Sequence, residues 1–247
     1  MTPAPDREFA FADAAGRLSG QPMFAVLSRA RELERQGRPI LHFELGEPDF
    51  DTPAHVADAA VTALRAGQTH YAEAMGTREL RLAVQRSATA AYGYTPGLEQ
   101  ILVTPAHAVM YLLVRCLVNP GEEVLIPDPG FPSYLAVLRF AGAVPVSVPL
   151  REEHAFRMQP ADIAARITPK TRLLILNSPQ NPTGGVMTAA EMAGAYELAQ
   201  RHHFYLLSDE VYCKMTYDAP AASPSIHDAA RERVIVLDGF SKAYAMT

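Results

Sequence analysis

Short, continuously apolar runs alternate with helical segments along most of this chain, and this pattern constrains its fold more than any other feature. Strands that are apolar at every position are typical of a parallel sheet covered on both faces. We therefore predict an α/β fold with a mostly parallel sheet sandwiched by helices. The strand-like runs from residue 101 onward are Ile101–Thr104, Val124–Pro127, Val144–Val148, Leu173–Asn177, Phe204–Ser208 and Val234–Leu237.

Helical periodicity fills the intervals between these runs and also the N-terminal part of the chain. One further short strand-like run, Ile40–Leu45, lies near the N-terminus. The predicted helices are Pro22–Gln36, Pro53–Ala66, a segment from Thr77 to about Tyr92, Val109–Val118, Ser133–Ala141, Pro160–Ile167 and Ala189–His202.

Composition and charge exclude several classes of protein. The net charge is -5, so the chain lacks a general basic footprint and we expect no nucleic-acid partner. It has no uncharged apolar segment of the roughly 18 residues that a membrane helix needs. Met1–Gly20 lacks the apolar core of a secretory signal. The two cysteines, Cys116 and Cys213, suit neither a disulfide framework nor a metal site. We expect a cytoplasmic protein without a bound metal.

Polar and turn-forming residues follow four of the predicted strands, and ligands in such sheets collect at the carboxyl ends of strands. Each segment alone has an ordinary explanation as a turn or a helix cap. Together they offer a lysine amine, a carboxylate, an amide with a phenol, and a flat ring. An aromatic aldehyde cofactor requires this set of groups. The segments are Asp128–Pro132, Ser178–Gly185, Asp209–Tyr212 and Asp238–Lys242.

In combination, these motifs resemble class I/II aminotransferases, which are pyridoxal-5′-phosphate (PLP) enzymes of fold type I similar to aspartate aminotransferase. The resemblance runs from about Pro22 to the last residue. It implies a PLP-binding large domain and a small domain. The motifs that carry it are Asn177–Gly184, Ser208–Tyr212, Gly239–Thr247, Leu45–Phe50 and Tyr71–Arg81.

The resemblance also implies roles for the residues at the strand ends. Lys242 would form the internal aldimine and then move the α-proton of the substrate. Asp209 would pair with the pyridinium nitrogen, which lets the ring act as an electron sink. Asn181 and Tyr212 would donate hydrogen bonds to the phenolic oxygen. Phe131 would stack on the ring and, with Asn181, would contact the substrate.

Two further roles follow from the same resemblance. Gly46 would lie near the substrate carboxylate, where the lack of a Cβ permits close approach of the backbone. Tyr71 would reach across a dimer interface to the phosphate of the neighbouring subunit. We therefore expect a homodimer with its active sites at the interface.

The phosphate-binding turn departs from the family pattern of a glycine followed by a small hydroxyl residue. Here it contains Ala106, His107 and Ala108, whose backbone N–H groups would still hold a phosphate at a helix start. The His107 side chain either adds a donor or only fills the space of a lost hydroxyl. Gly239 replaces a serine found in many relatives.

The C-terminus departs further, because the chain stops five residues after Lys242. Relatives continue with an arginine for the phosphate and a small domain whose arginine binds the substrate carboxylate. We thus expect a truncated chain with little activity and no C-terminal small domain. Residues 1–45 would form an N-terminal arm and helix belonging to the small domain, and residues 46–247 an incomplete PLP-binding large domain.

The expected function is a PLP-dependent aminotransferase of amino-acid biosynthesis that moves an amino group between an L-amino acid and a 2-oxo acid. A lyase of the same fold, catalysing β-elimination or cyclopropane formation, would use the same residues and stays an alternative. An inactive PLP-binding fragment is another. A PLP-binding transcription regulator is disfavoured, because the residues before Pro22 are too few for a DNA-binding module.

Overall fold

A parallel five-stranded sheet forms the centre of the protein. The computed structural model describes residues 11–18, 20–218, 220–229 and 232–247, with the side chain of His107 outside the described part. The strands are β1 Glu123–Asp128, β2 Val144–Pro149, β3 Thr171–Asn177, β4 Tyr205–Asp209 and β5 Val234–Leu237. They lie in the order β2, β1, β3, β4, β5, and each neighbouring pair is parallel. The predicted α/β fold with a parallel sheet is confirmed.

Helices flank these strands in the chain and cover the sheet. They are α1 Pro22–Arg35, α2 Ala54–Arg65, α3 Arg78–Tyr92, α4 Ala106–Leu117, α5 Pro132–Ala141, α6 Pro160–Ala164 and α7 Ala189–His202. A glycine in the left-handed conformation ends α3 and α5, as expected of a residue without a Cβ.

Both faces of the sheet are buried, which explains why its strands are apolar at consecutive positions. In β3, Leu174 and Leu176 pack into a cluster with residues of α6 and α7. Leu173 and Ile175 point the other way, into a cluster with residues of α4 and α5. All four side chains are fully buried. The helices therefore sandwich the sheet as predicted.

Two predicted strands are wrong. Ile40–Leu45 has no regular secondary structure, and Leu41 and Phe43 are 84% and 90% exposed. A run of apolar residues becomes a strand only where a neighbouring strand takes up its backbone hydrogen bonds, and this segment has none among the described residues.

Ile101–Thr104 is the other failed strand prediction. Its Val103 amide donates to the carbonyl of Met75, in the loop before α3, rather than to a strand. Helix α4 then begins at Ala106, three residues before the predicted start, so the predicted phosphate-binding turn is the first turn of this helix. The predicted helix at Pro160–Ile167 ends earlier, at Ala164.

The carboxyl ends of the central strands are aligned with one another. Asn177, the last residue of β3, pairs with Asp209, the last residue of β4. Asp209 pairs in turn with Leu237, the last residue of β5. The segments that follow these strands therefore start from one edge of the sheet.

In the described part of the chain, no helix has the length and apolar composition to cross a membrane. The same residues contain no group of three or more His, Cys, Asp or Glu side chains that could hold a metal ion. The predicted domain boundary between residues 45 and 46 stays a prediction, and residues 1–10 of the predicted N-terminal arm lie outside the described residues.

The central strand provides a test of this fold. Leu174→Ala should lower the free energy of unfolding by about 2–5 kcal/mol, because it removes a fully buried side chain and leaves a cavity. Leu64→Ala, on the 62% exposed Leu64 of α2, is the matched control and should change it by less than about 0.5 kcal/mol. Urea unfolding of both variants measures the difference, and similar losses would contradict this assignment of the core.

Candidate active site

Asp209 is a buried carboxylate at the carboxyl end of β4, with 7% of its surface exposed. Burial raises the pKa of this carboxyl group, while hydrogen bonds from Tyr134 and from the Val211 amide oppose the rise. The Tyr134 hydroxyl donates to Oδ2 at 2.5 Å, and the Val211 amide donates to Oδ1 at 3.4 Å. Asp238 adds a repulsion that raises the pKa slightly further. Asp209 is thus held in a site that strongly favours a positively charged partner.

Tyr134 is a site residue that the sequence analysis missed. It lies in the first turn of α5, only 2% exposed, three residues after Phe131. The two rings meet edge to face, with their centroids 5.6 Å apart. Phe131 directly precedes a predicted helix, and residues three apart at a helix share a face. The position of Tyr134, three residues after Phe131, was therefore a signal that could have revealed it.

The neighbouring carboxylate, Glu210, belongs to a different cluster. Its side chain accepts hydrogen bonds from the Ser223 hydroxyl at 2.6 Å and from the Tyr92 hydroxyl at 2.9 Å. Burial raises the pKa of Glu210. These partners tie Glu210 to the end of α3 and to the segment before β5. Asp209 instead contacts Tyr134, whose ring meets that of Phe131, and its pairing with the cofactor stays a prediction.

Asn181 and Tyr212 lie together, as the predicted shared role requires. The Asn181 side-chain amide donates to the Tyr212 hydroxyl at 3.4 Å. Asn177 fixes the loop beneath them, because its Oδ1 accepts from the Asn181 backbone amide at 2.7 Å and its Nδ2 donates to the Asp209 carbonyl at 3.1 Å. This asparagine links the end of β3 to the end of β4.

Lys242 lies against Gly46, although 196 positions separate them in the chain. The Lys242 Nζ donates to the Gly46 carbonyl at 3.0 Å. A second hydrogen bond joins the same segments, from the Thr52 hydroxyl to the Ala245 carbonyl. The structure therefore brings the predicted lysine and the predicted substrate-contacting glycine into direct contact.

Nothing in the packing of the described residues explains why position 46 is glycine. A Cβ added to Gly46 would meet no heavy atom within 4 Å, and its φ is not in the left-handed region. The predicted reason, close approach of a ligand to the backbone, therefore stays a prediction.

Ala106, His107 and Ala108 form the first turn of α4, after Pro105 as the N-cap residue. Pro105 makes no side-chain hydrogen bond to the first turn, so the positive, N-terminal end of the α4 dipole is open to an anion. The Ala108 amide also donates to the Pro105 carbonyl at 2.9 Å, which engages one of the three predicted donors within the turn. The two alternatives for the His107 side chain, a donor to the phosphate or a filler of space, concern a side chain outside the described part of the structure.

Tyr71 is a predicted site residue that no hydrogen bond or ring contact among the described residues joins to the others. Its side chain is fully exposed in the loop between α2 and α3. Arg81 fixes the end of this loop, since its Nε donates to the Gly76 carbonyl at 3.0 Å and it forms an ion pair with Glu73. An exposed tyrosine on an anchored loop is compatible with a contact to another subunit, and its role stays a prediction.

The chain belongs to the aminotransferase class I and II family, whose sequence model matches residues 38–247. It is 39% identical over 240 residues to the arginine–pyruvate transaminase of Pseudomonas aeruginosa. It is 40% identical over 224 residues to a probable aspartate/prephenate aminotransferase of Thermus aquaticus. The matches cover 96% and 90% of this chain, but only 61% and 58% of those relatives.

Solved structures of the family have the same fold. The aspartate aminotransferase of Thermus thermophilus with maleate superposes with a TM-score of 0.92 at 35% identity, over 97% of this chain and 62% of that one. An alanine aminotransferase of Pyrococcus furiosus gives a TM-score of 0.89 at 29% identity. The chain thus spans about 60% of the length of the relatives that it matches.

Tyr134→Phe tests the electrostatics at Asp209. The pKa of Asp209 in the folded protein lies above its ordinary value of 3.8. The protonated carboxyl group therefore stabilises the fold at low pH, and this contribution is lost as the pH rises from 3.8 through the raised pKa. Removing the Tyr134 donor raises the pKa further. The variant should therefore lose about 1.5–3 kcal/mol at neutral pH and less at the acid end of the folded range.

Urea unfolding at several pH values measures this difference. Tyr217→Phe, on the 95% exposed Tyr217, is the control and should show no pH-dependent loss. A Tyr134→Phe loss that is the same at every pH would contradict the interaction with the Asp209 carboxylate.

Proposed function

We propose that the protein is a PLP-dependent aminotransferase that transfers an amino group between an L-amino acid and a 2-oxo acid. The observation that carries the proposal is the buried carboxylate of Asp209 at the aligned strand ends. Among the described residues, no Lys, Arg or His forms an ion pair with it. Tyr134 and Val211 donate hydrogen bonds to it, but burial still holds its pKa above the ordinary value, so its ionised form is not fully compensated. A cationic partner would stabilise that form, and the protonated nitrogen of a pyridine ring supplies one.

The surrounding side chains fit the same cofactor. Asn181 and Tyr212 present an amide and a hydroxyl for an oxyanion on the ring. Phe131, held edge-on by Tyr134, offers an aromatic face. The backbone amides that open α4 suit a phosphate. When PLP is bound, it supplies an electron sink for the bond to the substrate's α-carbon.

Lys242 is the residue that we assign both to covalent attachment of PLP and to proton transfer. Its Nζ would take the proton from the α-carbon of the substrate and return it, as a general base and then as an acid. The Gly46 carbonyl, which accepts from Nζ, would orient this amine beside the substrate carboxylate. Phe131 and Asn181 are the other side chains that we assign to substrate contact.

Relatives favour transamination over the lyase alternative. The proteins named above act, by their names, on arginine with pyruvate and on aspartate or prephenate. Their names differ in substrate while the matched part of the chain is shared, so we assign only the general pair of L-amino acid and 2-oxo acid to this protein. The proposal extends to amino-acid biosynthesis in the cytoplasm.

We further propose a homodimer in which Tyr71 contacts the phosphate bound by the other subunit. The exposure of Tyr71 on an anchored loop supports this assembly. The division into a small-domain part, residues 1–45, and a PLP-binding part, residues 46–247, belongs to the same proposal.

Lysine variants test the cofactor assignment. The sequence has only three lysines, Lys170, Lys214 and Lys242. Lys242→Ala should abolish the long-wavelength absorbance that appears when PLP becomes attached to the protein, because no other amine would occupy the site. Lys214→Ala is the matched control, since Lys214 is paired with Asp238 at 3.3 Å, and it should keep the band. A band that survives in Lys242→Ala would refute the assignment.

Incubation with single amino donors tests the reaction type. An aminotransferase converts bound PLP to its pyridoxamine form and releases one equivalent of 2-oxo acid without ammonia. A β-eliminating lyase releases ammonia together with the oxo acid and regenerates PLP, and a cyclopropane-forming lyase releases neither ammonia nor the oxo acid. We expect the first result in a screen of amino acids, followed by slow turnover with pyruvate or 2-oxoglutarate, in keeping with the little activity expected from the sequence. Ammonia in proportion to the oxo acid would favour the lyase, and no product from any donor would contradict activity in this chain.

A further inference from the structure

Gln180 joins two loops that leave different strands of the sheet. Its side-chain Nε2 donates to the Pro129 carbonyl at 2.9 Å, in the loop after β1, and to the Asn181 carbonyl at 2.8 Å, in the loop after β3. Its Oε1 accepts from the Thr183 amide at 2.8 Å and from the Thr183 hydroxyl at 2.5 Å. The side chain is only 6% exposed.

These four contacts use the whole hydrogen-bonding capacity of a glutamine amide, which has two N–H donors and two acceptor lone pairs. They also fix its orientation, because a rotated amide would set its oxygen against two carbonyl oxygens. A glutamate at this position would likewise set a carboxylate oxygen against the carbonyl oxygens of Pro129 and Asn181. The site therefore requires a neutral amide of this length.

The contact with Pro129 is separable from the formation of the local turn. Backbone hydrogen bonds close that turn without the side chain, from the Gly184 amide to the Gln180 carbonyl at 2.8 Å and from the Gln180 amide to the Gly185 carbonyl at 2.9 Å. The Nε2 donor that reaches across to Pro129 thus serves the pairing of the two loops and not the turn itself.

Each of the two loops carries a residue that we assign to PLP. Asn181 directly follows Gln180, and Phe131 comes two residues after Pro129. Only Gly130 separates Pro129 from Phe131, and a Cβ on it would lie 2.4 Å from the Pro127 carbonyl oxygen, so the loop turns back closely on itself at this position. A displacement of Pro129 should therefore reach Phe131.

We infer that Gln180 is a positioning residue that sets the separation between Phe131 and Asn181, and thereby the position of the stacking ring relative to the amide that binds the phenolic oxygen of the cofactor. The functional part of this inference rests on the proposed PLP-binding function. The mechanical part, coupling of the loop after β3 to the loop after β1, does not depend on any ligand.

Hydrogen–deuterium exchange of the protein without PLP tests the mechanical part. Gln180→Met and Gln180→Glu both remove the two N–H donors, and Gln180→Met does so without adding a charge. Exchange in peptides covering residues 128–134 should accelerate by about tenfold, since the hydrogen bond from Nε2 to the Pro129 carbonyl is lost.

Thr183→Val is the matched control. It removes the hydroxyl that donates to the same amide but leaves both Nε2 donors in place. Exchange should then accelerate around residues 180–185 and stay unchanged in residues 128–134. The inference is overturned if Gln180→Met leaves residues 128–134 unchanged, if Thr183→Val alters them equally, or if neither Gln180 variant folds, because the amide would then be a requirement of the fold.

PLP titration tests the functional part through binding and near-ultraviolet circular dichroism. Gln180→Met should weaken PLP binding by about tenfold and reduce the induced dichroism of each bound PLP, because the stacking contact from Phe131 and the hydrogen bond from Asn181 would no longer be held in a fixed relation. Thr183→Val should keep that signal. An unchanged dichroism with altered exchange would overturn the functional part alone. A wild-type protein that does not bind PLP would instead refute the proposed function and leave the exchange result standing.

Discussion

The buried carboxylate of Asp209 is the constraint on which the rest of the site depends. A strand that is apolar on both sides ends in an acid that the protein surrounds with few compensating groups, so its ionised form is costly. The hydroxyl of Tyr134 and the amide of Val211 relieve part of that cost. A cation brought by a ligand would relieve the rest. The parallel register of β3, β4 and β5 matters because it sets this acid beside the start of the loop that carries Asn181.

The loops around Asp209 are held by polar side chains at the strand ends and within the loops themselves. Asn177 links the ends of β3 and β4, and Gln180 links the loop after β3 to the loop after β1. A hydrogen bond from Lys242 to Gly46 joins the segment after β5 to the loop between α1 and α2. Precise placement of functional groups on loops requires such cross-links, because loops lack the repeated hydrogen bonds of strands and helices.

Much of the fold could be predicted because the central strands are extreme in composition. A run such as Leu173–Leu176 has no amphipathic alternation and so permits only a buried strand or a buried helix segment, and its short length decides between the two. Ile101–Thr104 has a similar composition but no strand beside it among the described residues, and composition alone cannot reveal whether a partner strand is present. The strand ends drew attention to the segments that carry Phe131, Asn181, Asp209, Tyr212 and Lys242, and the resemblance to the family implied their roles. Tyr134 was missed because its residue type does not separate it from the core of an amphipathic helix, and its one mark is its position three residues after Phe131.

Covalent trapping of the cofactor tests the central claim most directly. The wild-type protein is incubated with PLP and treated with borohydride, which fixes PLP to the lysine that holds it, and is then digested and mapped by mass spectrometry. The account predicts about one phosphopyridoxyl group per chain, carried by the peptide that contains Lys242. Label distributed over Lys170 and Lys214, or no label at all, would contradict it.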